Sequence, residues 1–351
     1  MKVTMQQIAD AVGVSRGTVD RAFHHRGRID PDVEERIFRT AKELGYPLER
    51  IHAGAQKRSG AGKLTAGGRE IRIGVITYLC HAGFMQEINR GIRKAQEELQ
   101  EWGVRIILRE SDAVSEEQQL AFLDEVLEEG IDGLAIMPID TGTIRQRLYD
   151  IGQTSSMPIV MFNSDLQGVP RMCYVGMDNF RSGQTAAGLM NMLTGGTGRV
   201  LVITGTFSNQ LNNARVDGFT QEVRDSFPGL TIAAVQSSYD NEEEVRAIVE
   251  NMMKSIPGIN GIFIVSSGQS GIRSVLAQDG SGSRPGVIVY DQTPKNEKLM
   301  RDGLVDFLID QNGFEQGYRP LHILANAIKG NSEPEPYSEF TEISIKTKYN
   351  L

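Results

Sequence analysis

The sequence predicts an α/β protein: an all-α helix-turn-helix head, then a two-lobed body built on doubly wound parallel sheets. Three observations predict it. Residues 1–48 carry short helical patterns separated by tight turns. Residues 49–70 are small, polar and basic, with Ala53-Gly54-Ala55, Ser59-Gly60-Ala61-Gly62 and Gly67-Gly68 marking a hinge or linker. From Ile71 onward apolar strand-like runs alternate with helical stretches nearly to the end, the pattern of a parallel sheet covered on both faces.

Length and composition bound the reading. A chain of 351 residues exceeds one ordinary core. Hydrophobic residues make up 40% and charged residues 23%, and no apolar run approaches the ~18–20 residues of a membrane span. Met1 to Gln7 holds no apolar stretch of signal-peptide length, so a cytoplasmic location is expected, not a secreted one. Cys80 and Cys173 are the only cysteines, and neither sits in a metal-ligand or redox spacing; no metal and no cofactor are expected. Charge is uneven along the chain. Residues 1–63 hold twelve Lys/Arg against eight Asp/Glu, net +4, while the rest carries 25 against 37, net −12. That asymmetry suits a DNA-binding arm on an acidic body.

In the head, Thr4 is a helix N-cap and Gln7 completes a capping box; Ile8, Ala9 and Val12 form the apolar stripe of the first helix. Gly13 falls where that helix must stop in a left-handed residue. Ser15 caps a second helix, whose Val19, Ala22 and Phe23 face inward. Pro31 opens a third, from Asp32 to Leu44, with Val33, Ile37, Ala41 and Leu44 buried. Two short helices joined by a glycine turn and braced by a third form a helix-turn-helix; a plain three-helix bundle is the alternative. Arg16, Gly17 and Asp20-Arg21 lie on the outward face of the second helix, where base edges and phosphates would be met.

The run from Val3 to Phe23, with Arg28-Ile29-Asp30-Pro31 and Ala41-Lys42-Glu43-Leu44-Gly45-Tyr46, resembles the DNA-binding head of the LacI/GalR family of bacterial repressors. The resemblance implies that Arg16 and Gly17 occupy the base-reading positions and that Arg21 occupies the second arginine position, touching bases and backbone. It also implies that Thr4, Ser15 and Thr18 bond phosphates. Asp20 departs from the family's usual serine. The hinge departs too: counting on from Tyr46 puts Ala55 where the family has a minor-groove leucine. Gly54 and its neighbours disfavour a hinge helix by ~1 kcal/mol each relative to alanine. Arg50, Lys57 and Arg58 remain available to the groove.

In the body, strands are expected at 71–78, 104–108, 133–137, 158–162, 173–175, 199–204, 231–235, 261–265, 287–290 and 342–346. Helices are expected at 84–102, 115–129 and 141–152, with more alternating after 175. The body resembles the type I periplasmic sugar-binding fold, nearest to ribose-binding proteins. The resemblance implies an N-lobe of about 71–177 and 312–340, and a C-lobe of about 178–311 and 341–351. The matching positions are Phe84, the Phe162-Asn163-Ser164-Asp165 run, Val175 to Asn179, Asn213 to Phe219, Val289 to Pro294, and Asp310-Gln311.

A sugar presents flat apolar faces and a ring of hydroxyls, so it calls for an aromatic plate and planar partners that bond two hydroxyls at once. Phe84 supplies the first; Asn163, Arg215, Asp291 and Gln311 the second, with Asp165 as a further acceptor. Plainer roles exist for each: core for Phe84, turn or cap for Asn163 and Asp165, a surface ion pair for Arg215, a cap before Pro294 for Asp291. Where relatives place Asn-Asp, this chain has Ser266-Ser267-Gly268-Gln269, which makes Ser267 and Gln269 candidate contacts and leaves a polyol, a sugar acid or a non-sugar ligand open.

An enzyme is not expected. Gly62-Lys63 is followed by Leu64, with Lys57 where a phosphate loop needs glycine, and Gly195 to Gly198 precede a strand instead of following one. The expectation is therefore a repressor, binding double-stranded operator DNA as a homodimer under control of a small sugar-like effector. No C-terminal heptad segment follows the last strand to make a tetramer.

Overall fold

Ile8, Ala9 and Val12 share one face at helical spacing, and they form α1 (Met5–Val12) with that face buried against Val19, Ile37 and Ala41. Full burial of each large aliphatic contributes about 1.5–3 kcal/mol. Gly13 ends α1 at φ 78°, and the amides of Gly13 and Val14 both return to Ala9 O. Arg36 closes the turn from the third helix, donating to Val12 O at 3.0 Å. The structure is a computed structural model and describes residues 5–16, 18–19, 33, 36–37, 39–41, 69–277, 284–330 and 337–351. The sequence-based expectations at Thr4, Gly17, Asp20, Arg21, Ala22, Phe23, Pro31, Leu44 and the hinge through residue 68 lie outside those residues. The chain divides into two units, Met1–Lys63 and Leu64–Leu351.

The second unit holds two six-stranded sheets. In the first, β1 (Ile71–Thr77), β2 (Val104–Glu110), β3 (Gly133–Ile136), β4 (Ile159–Phe162), β5 (Cys173–Met177) and β11 (Tyr337–Thr341) run in the order β11-β5-β4-β3-β1-β2, every pair parallel. The second joins β6 (Gly198–Thr204), β7 (Leu230–Ser237), β8 (Ile259–Ile264), β9 (Gly286–Tyr290), β10 (Phe307–Asp310) and β12 (Ser344–Lys346) as β12-β10-β9-β8-β6-β7. The strands are near-continuously apolar because helices cover both faces of each sheet, giving two core layers per lobe.

Those helices are α2 (Met85–Gln100), α3 (Glu116–Glu128) and α4 (Gly142–Thr154) in the first lobe. The second has α5 (Asn179–Leu193), α6 (Gln210–Ser226), α7 (Glu242–Ser255), α8 (Ile272–Leu276) and α9 (Pro294–Arg301). A long α10 (Gly313–Ile328) returns to pack on α2. No helix among the described residues is long and apolar enough to cross a membrane.

Two strands escape the sequence pattern. β10 offers only the three apolar residues Phe307 to Ile309 between Asp306 and Asp310, and β11 (YSEFT) is a half-exposed edge strand with a carboxylate in it. The final strand expected at 342–346 is β12 in the second sheet, and β11 precedes it in the first. The chain thus crosses between lobes three times, at Met177–Asn179, Asp310–Gly313 and Thr341–Ser344. The first two crossings enter a helix before any strand, so the next strand runs parallel to its sheet. The third leads directly from one strand end into the other sheet, and β12 accordingly pairs antiparallel with β10.

Candidate functional site

Strand order reverses beside β1 in the first lobe and beside β6 in the second, and loops leaving a parallel sheet at such switch points form its natural crevice. Backbone strain gathers there. The described non-glycine residues with positive φ are Leu79, Asn163, Tyr239, Asp240, Asp291 and Asn312, each just past the C-terminal end of a strand. Asn and Asp bear this conformation better than other residues, through short side chains that bond locally. Three buried hydroxyls lie at the same edges without a hydrogen-bond partner among the described residues: those of Thr77, Thr204 and Ser266, at the ends of β1, β6 and β8. A buried polar group left open in this way points to a ligand or ordered water.

Arg215 sits on α6, a helix capped by the Asn209 side chain accepting from the Asn212 amide. It is 2% exposed, which removes the surface ion-pair role. Its Nε donates to Asn179 Oδ1 at 2.9 Å, Nη1 to Val265 O at 2.9 Å and Nη2 to Gln311 Oε1 at 3.2 Å. The guanidinium carbon lies 3.9 Å from the Tyr290 ring centroid, and the Tyr290 hydroxyl is held 2.7 Å from Ser182 Oγ. Three of five N–H donors are therefore committed. Among the described residues no carboxylate pairs directly with this cation.

Asp291, the residue after β9, is the nearest compensation and reaches Arg215 through Gln311, whose Nε2 donates to Asp291 Oδ1. Burial pushes its carboxyl above the usual carboxylate range, with the Arg215 charge pulling the other way. The capping role falls instead to Thr293, which accepts from the Asn296 amide with Pro294 behind it. Asp310 is raised too, by burial and then by the neighbouring Asp291 charge.

A chain of amides carries this set across to the first lobe. Asn163, at φ 61°, donates to Gln316 Oε1 at 3.0 Å, and Gln316 donates to Gln311 O at 2.8 Å. Thr341 donates to the same carbonyl at 2.9 Å from the third crossing. Gln311 thus belongs to both lobes at once. Beside it lies a narrow cavity of about 20 Å³ lined by Phe84, Glu87 and Ile88 on one side and Asp291, Asp310 and Gln311 on the other. Phe84 also packs against the first-lobe core while lining this cavity.

The remaining predicted contacts fall elsewhere. Asp165 is locked to Arg171 by two bonds of 2.6 and 2.7 Å, and Arg171 reaches on to Tyr337 O at 3.0 Å, stapling β11 to its neighbour. Gln269 is buried but donates to Tyr290 O at 3.3 Å, bracing the end of β9. Ser267 is exposed, and its amide donates to Asp240 at 2.9 Å; its neighbour Ser266 holds the buried open hydroxyl. Sequence reading missed Thr77, Thr204, Ser266 and the fully buried Gln316. A polar residue closing an apolar run is the faint signal the first three share; Gln316 offered none inside its helical pattern.

In the head, Ser15 Oγ accepts from the Thr18 amide at 3.1 Å and lies 2.9 Å from Thr18 Oγ1, the expected N-cap. Val19 is in the core and Arg16 is exposed, so Arg16 projects from the start of a helix whose other face is anchored.

Comparison with known proteins follows the same division. Residues 73–332 match the periplasmic binding protein domain, and residues 4–47 match bacterial regulatory proteins of the lacI family. The chain is similar to the xylose/arabinose-binding protein XylF of Sulfolobus acidocaldarius, 25% identical over 215 residues covering 56% of this chain and 52% of that one. It is also similar to the HTH-type transcriptional regulator DegA of Bacillus subtilis, 24% identical over 227 residues, 64% of this chain and 62% of that one. The chain spans between half and two thirds of the length of these relatives. Among solved structures, the glucose-galactose binding protein GanP of Geobacillus stearothermophilus aligns with a TM-score of 0.73 at 21% identity, covering 81% of this chain and 99% of that one; the fold is shared.

Proposed function

The chain belongs to the periplasmic binding protein domain family and bears a lacI-family head, and from that premise we propose a DNA-binding transcriptional repressor whose operator affinity is set by a sugar-like ligand between its lobes. The location this implies is the cytoplasm, where the operator is. Two heads, brought together by a homodimer of bodies, would meet the two halves of a pseudo-palindromic site. Arg16 would read a base edge, with Gly17 and Arg21 beside it and Thr4, Ser15 and Thr18 on phosphates.

One observation carries the ligand half. Among the described residues Arg215 is a buried cation with two uncommitted donors and no direct carboxylate partner, and Asp291 beside it has one oxygen committed. Isolated buried charge is costly, and a ligand hydroxyl that accepts from Arg215 and donates to Asp291 offsets that cost at both ends. Phe84 supplies an apolar plate and Asn163 and Gln311 supply amides. Anionic ligands gain less here, because Asp291, Asp310 and Glu87 already crowd the cavity with carboxylates.

The experiment is a thermal-shift screen of aldopentoses, hexoses, sugar acids and polyols on the full chain, paired with anisotropy on an operator selected from random duplexes. One neutral sugar is expected to raise the unfolding midpoint and change operator affinity by about 5–150-fold, the usual range of coupling between two sites. Arg215→Ala should lose both responses while binding the operator as before. A hit that Arg215→Ala binds as tightly overturns the pocket, and failure to select any duplex overturns the regulator.

A further inference from the structure

Cys80, His81 and Asp112 converge on the outer side of the loop that follows β1. Cys80 Sγ lies 3.1 Å from Asp112 Oδ1, and His81 Nε2 lies 3.2 Å from the same oxygen. All three donor atoms fall within 4.8 Å of one another. A tetrahedral ion with bonds of about 2.3 Å to sulfur and 2.0 Å to nitrogen and oxygen spaces its ligand atoms about 3.3–3.5 Å apart. Asp112 already stands at nearly that spacing from both Cys80 and His81.

The backbone brings it about. Ser111 donates to Thr77 O and Cys80 donates to Ser111 O, so the loop stays laced to the end of β2 after the strands finish. Leu79 takes φ 54° to make that turn. Cys80 and His81 are adjacent in sequence, a spacing that metal motifs do not use, and only the β1–β2 register supplies Asp112. A second observation points to a ligand. Asn89 donates to Cys80 O at 3.1 Å, yet its own Oδ1 is buried with no partner among the described residues. Asn89 lines an open cavity of about 460 Å³ together with Cys80, His81 and Glu110.

We propose that Cys80, His81 and Asp112 form a three-ligand site for a thiophilic divalent ion such as Zn²⁺, with a fourth position open to the cavity. Thiolate, imidazole and carboxylate together suit a borderline-soft ion and disfavour Mg²⁺ or Ca²⁺, which take oxygen ligands in larger number. The loop continues to Gly83, which abuts Thr293 of the other lobe, and to Phe84 in the cavity by Asp291. An ion here would stiffen the segment that joins the two.

The test uses the full chain with Co²⁺ as a spectroscopic stand-in and Zn²⁺ as competitor. One equivalent of Co²⁺ is expected to give a sulfur-to-cobalt charge-transfer band and intense tetrahedral visible bands, both displaced by Zn²⁺. Cys80→Ser should remove the charge-transfer band without moving the unfolding midpoint, and Cys173→Ser should keep it. His81→Ala and Asp112→Asn should each weaken binding by about tenfold or more, since even partners one shell further out are worth about 10–100-fold. The proposal fails if no charge-transfer band forms or the band survives Cys80→Ser. It fails equally if His81→Ala and Asp112→Asn leave affinity within twofold, which would place the ion elsewhere.

Discussion

Asp291 and Arg215 are opposite charges held partly out of water, and Asp291 bears on how the protein responds to pH. The Asp291 carboxyl is raised above its ordinary value of about 3.8 by burial. Between the ordinary and the raised value the folded chain binds more protons than the unfolded one, so stability falls as pH rises through that window. Above it the ionised carboxylate is a standing cost. Asp291→Asn should therefore raise the urea midpoint near neutral pH, with a gain that shrinks on acidification and vanishes below the usual carboxylate range, while the sugar-induced shift is lost. Unfolding curves across pH check both parts. At the other end of the molecule, Arg16 projects from the start of a helix anchored by Val19. A bidentate base contact discriminates by about 1–3 kcal/mol, so Arg16→Ala should weaken operator binding by about 5–150-fold and binding to random duplex far less. An equal loss on both would leave Arg16 a phosphate contact. Gly13 and Ser15 were legible as stop and cap because their roles are local. Gln316 was not, because its partners Asn163 and Gln311 come from a distant strand end and a crossing.

Each lobe joins two helices by a matched pair of glycines. A Cβ on Gly91 of α2 would strike Phe314 O, and one on Gly317 of α10 would strike Ile88 O. In the second lobe Gly183 of α5 faces Arg215 O and Gly218 of α6 faces Phe180 O in the same way. Backbone thus lies against backbone, and the second pair sets the height at which Arg215 enters the site. Gly183→Ala must push α6 away, costing about 1–3 kcal/mol of stability and lowering ligand affinity together. Gly188 on the same helix has open space around it, so Gly188→Ala should be neutral or gain up to about 1 kcal/mol. Thermal unfolding with and without sugar separates the two variants. The alternating strand and helix pattern was readable because period and apolar content are properties of neighbours in sequence. β10 and β11 were not, since one is short and the other an edge strand whose pairing with β5 supplies what its own residues lack.

At the scale of the whole molecule, three crossings and one amide chain tie the lobes together, and Gln311 stands where these meet. Coupling between two binding sites is reciprocal, so operator DNA should change sugar affinity by the same factor, about 5–150-fold, that sugar changes operator affinity. Calorimetric titration of sugar into the chain with and without operator measures it; equal affinities would mean that head and body act independently. The sequence by itself determined the division into a small helical head and a larger α/β body, together with the parallel character of the sheets. Those depend on capping residues, periodicity and composition, which are written locally. Tertiary structure decided that β11 pairs with β5 and that β12 must run antiparallel. It also decided that Asp165 serves Arg171, and that Thr77, Thr204 and Ser266 end buried without partners at the switch points. These depend on which strand ends meet across the crevice, a relation between residues far apart in the chain that no local pattern encodes.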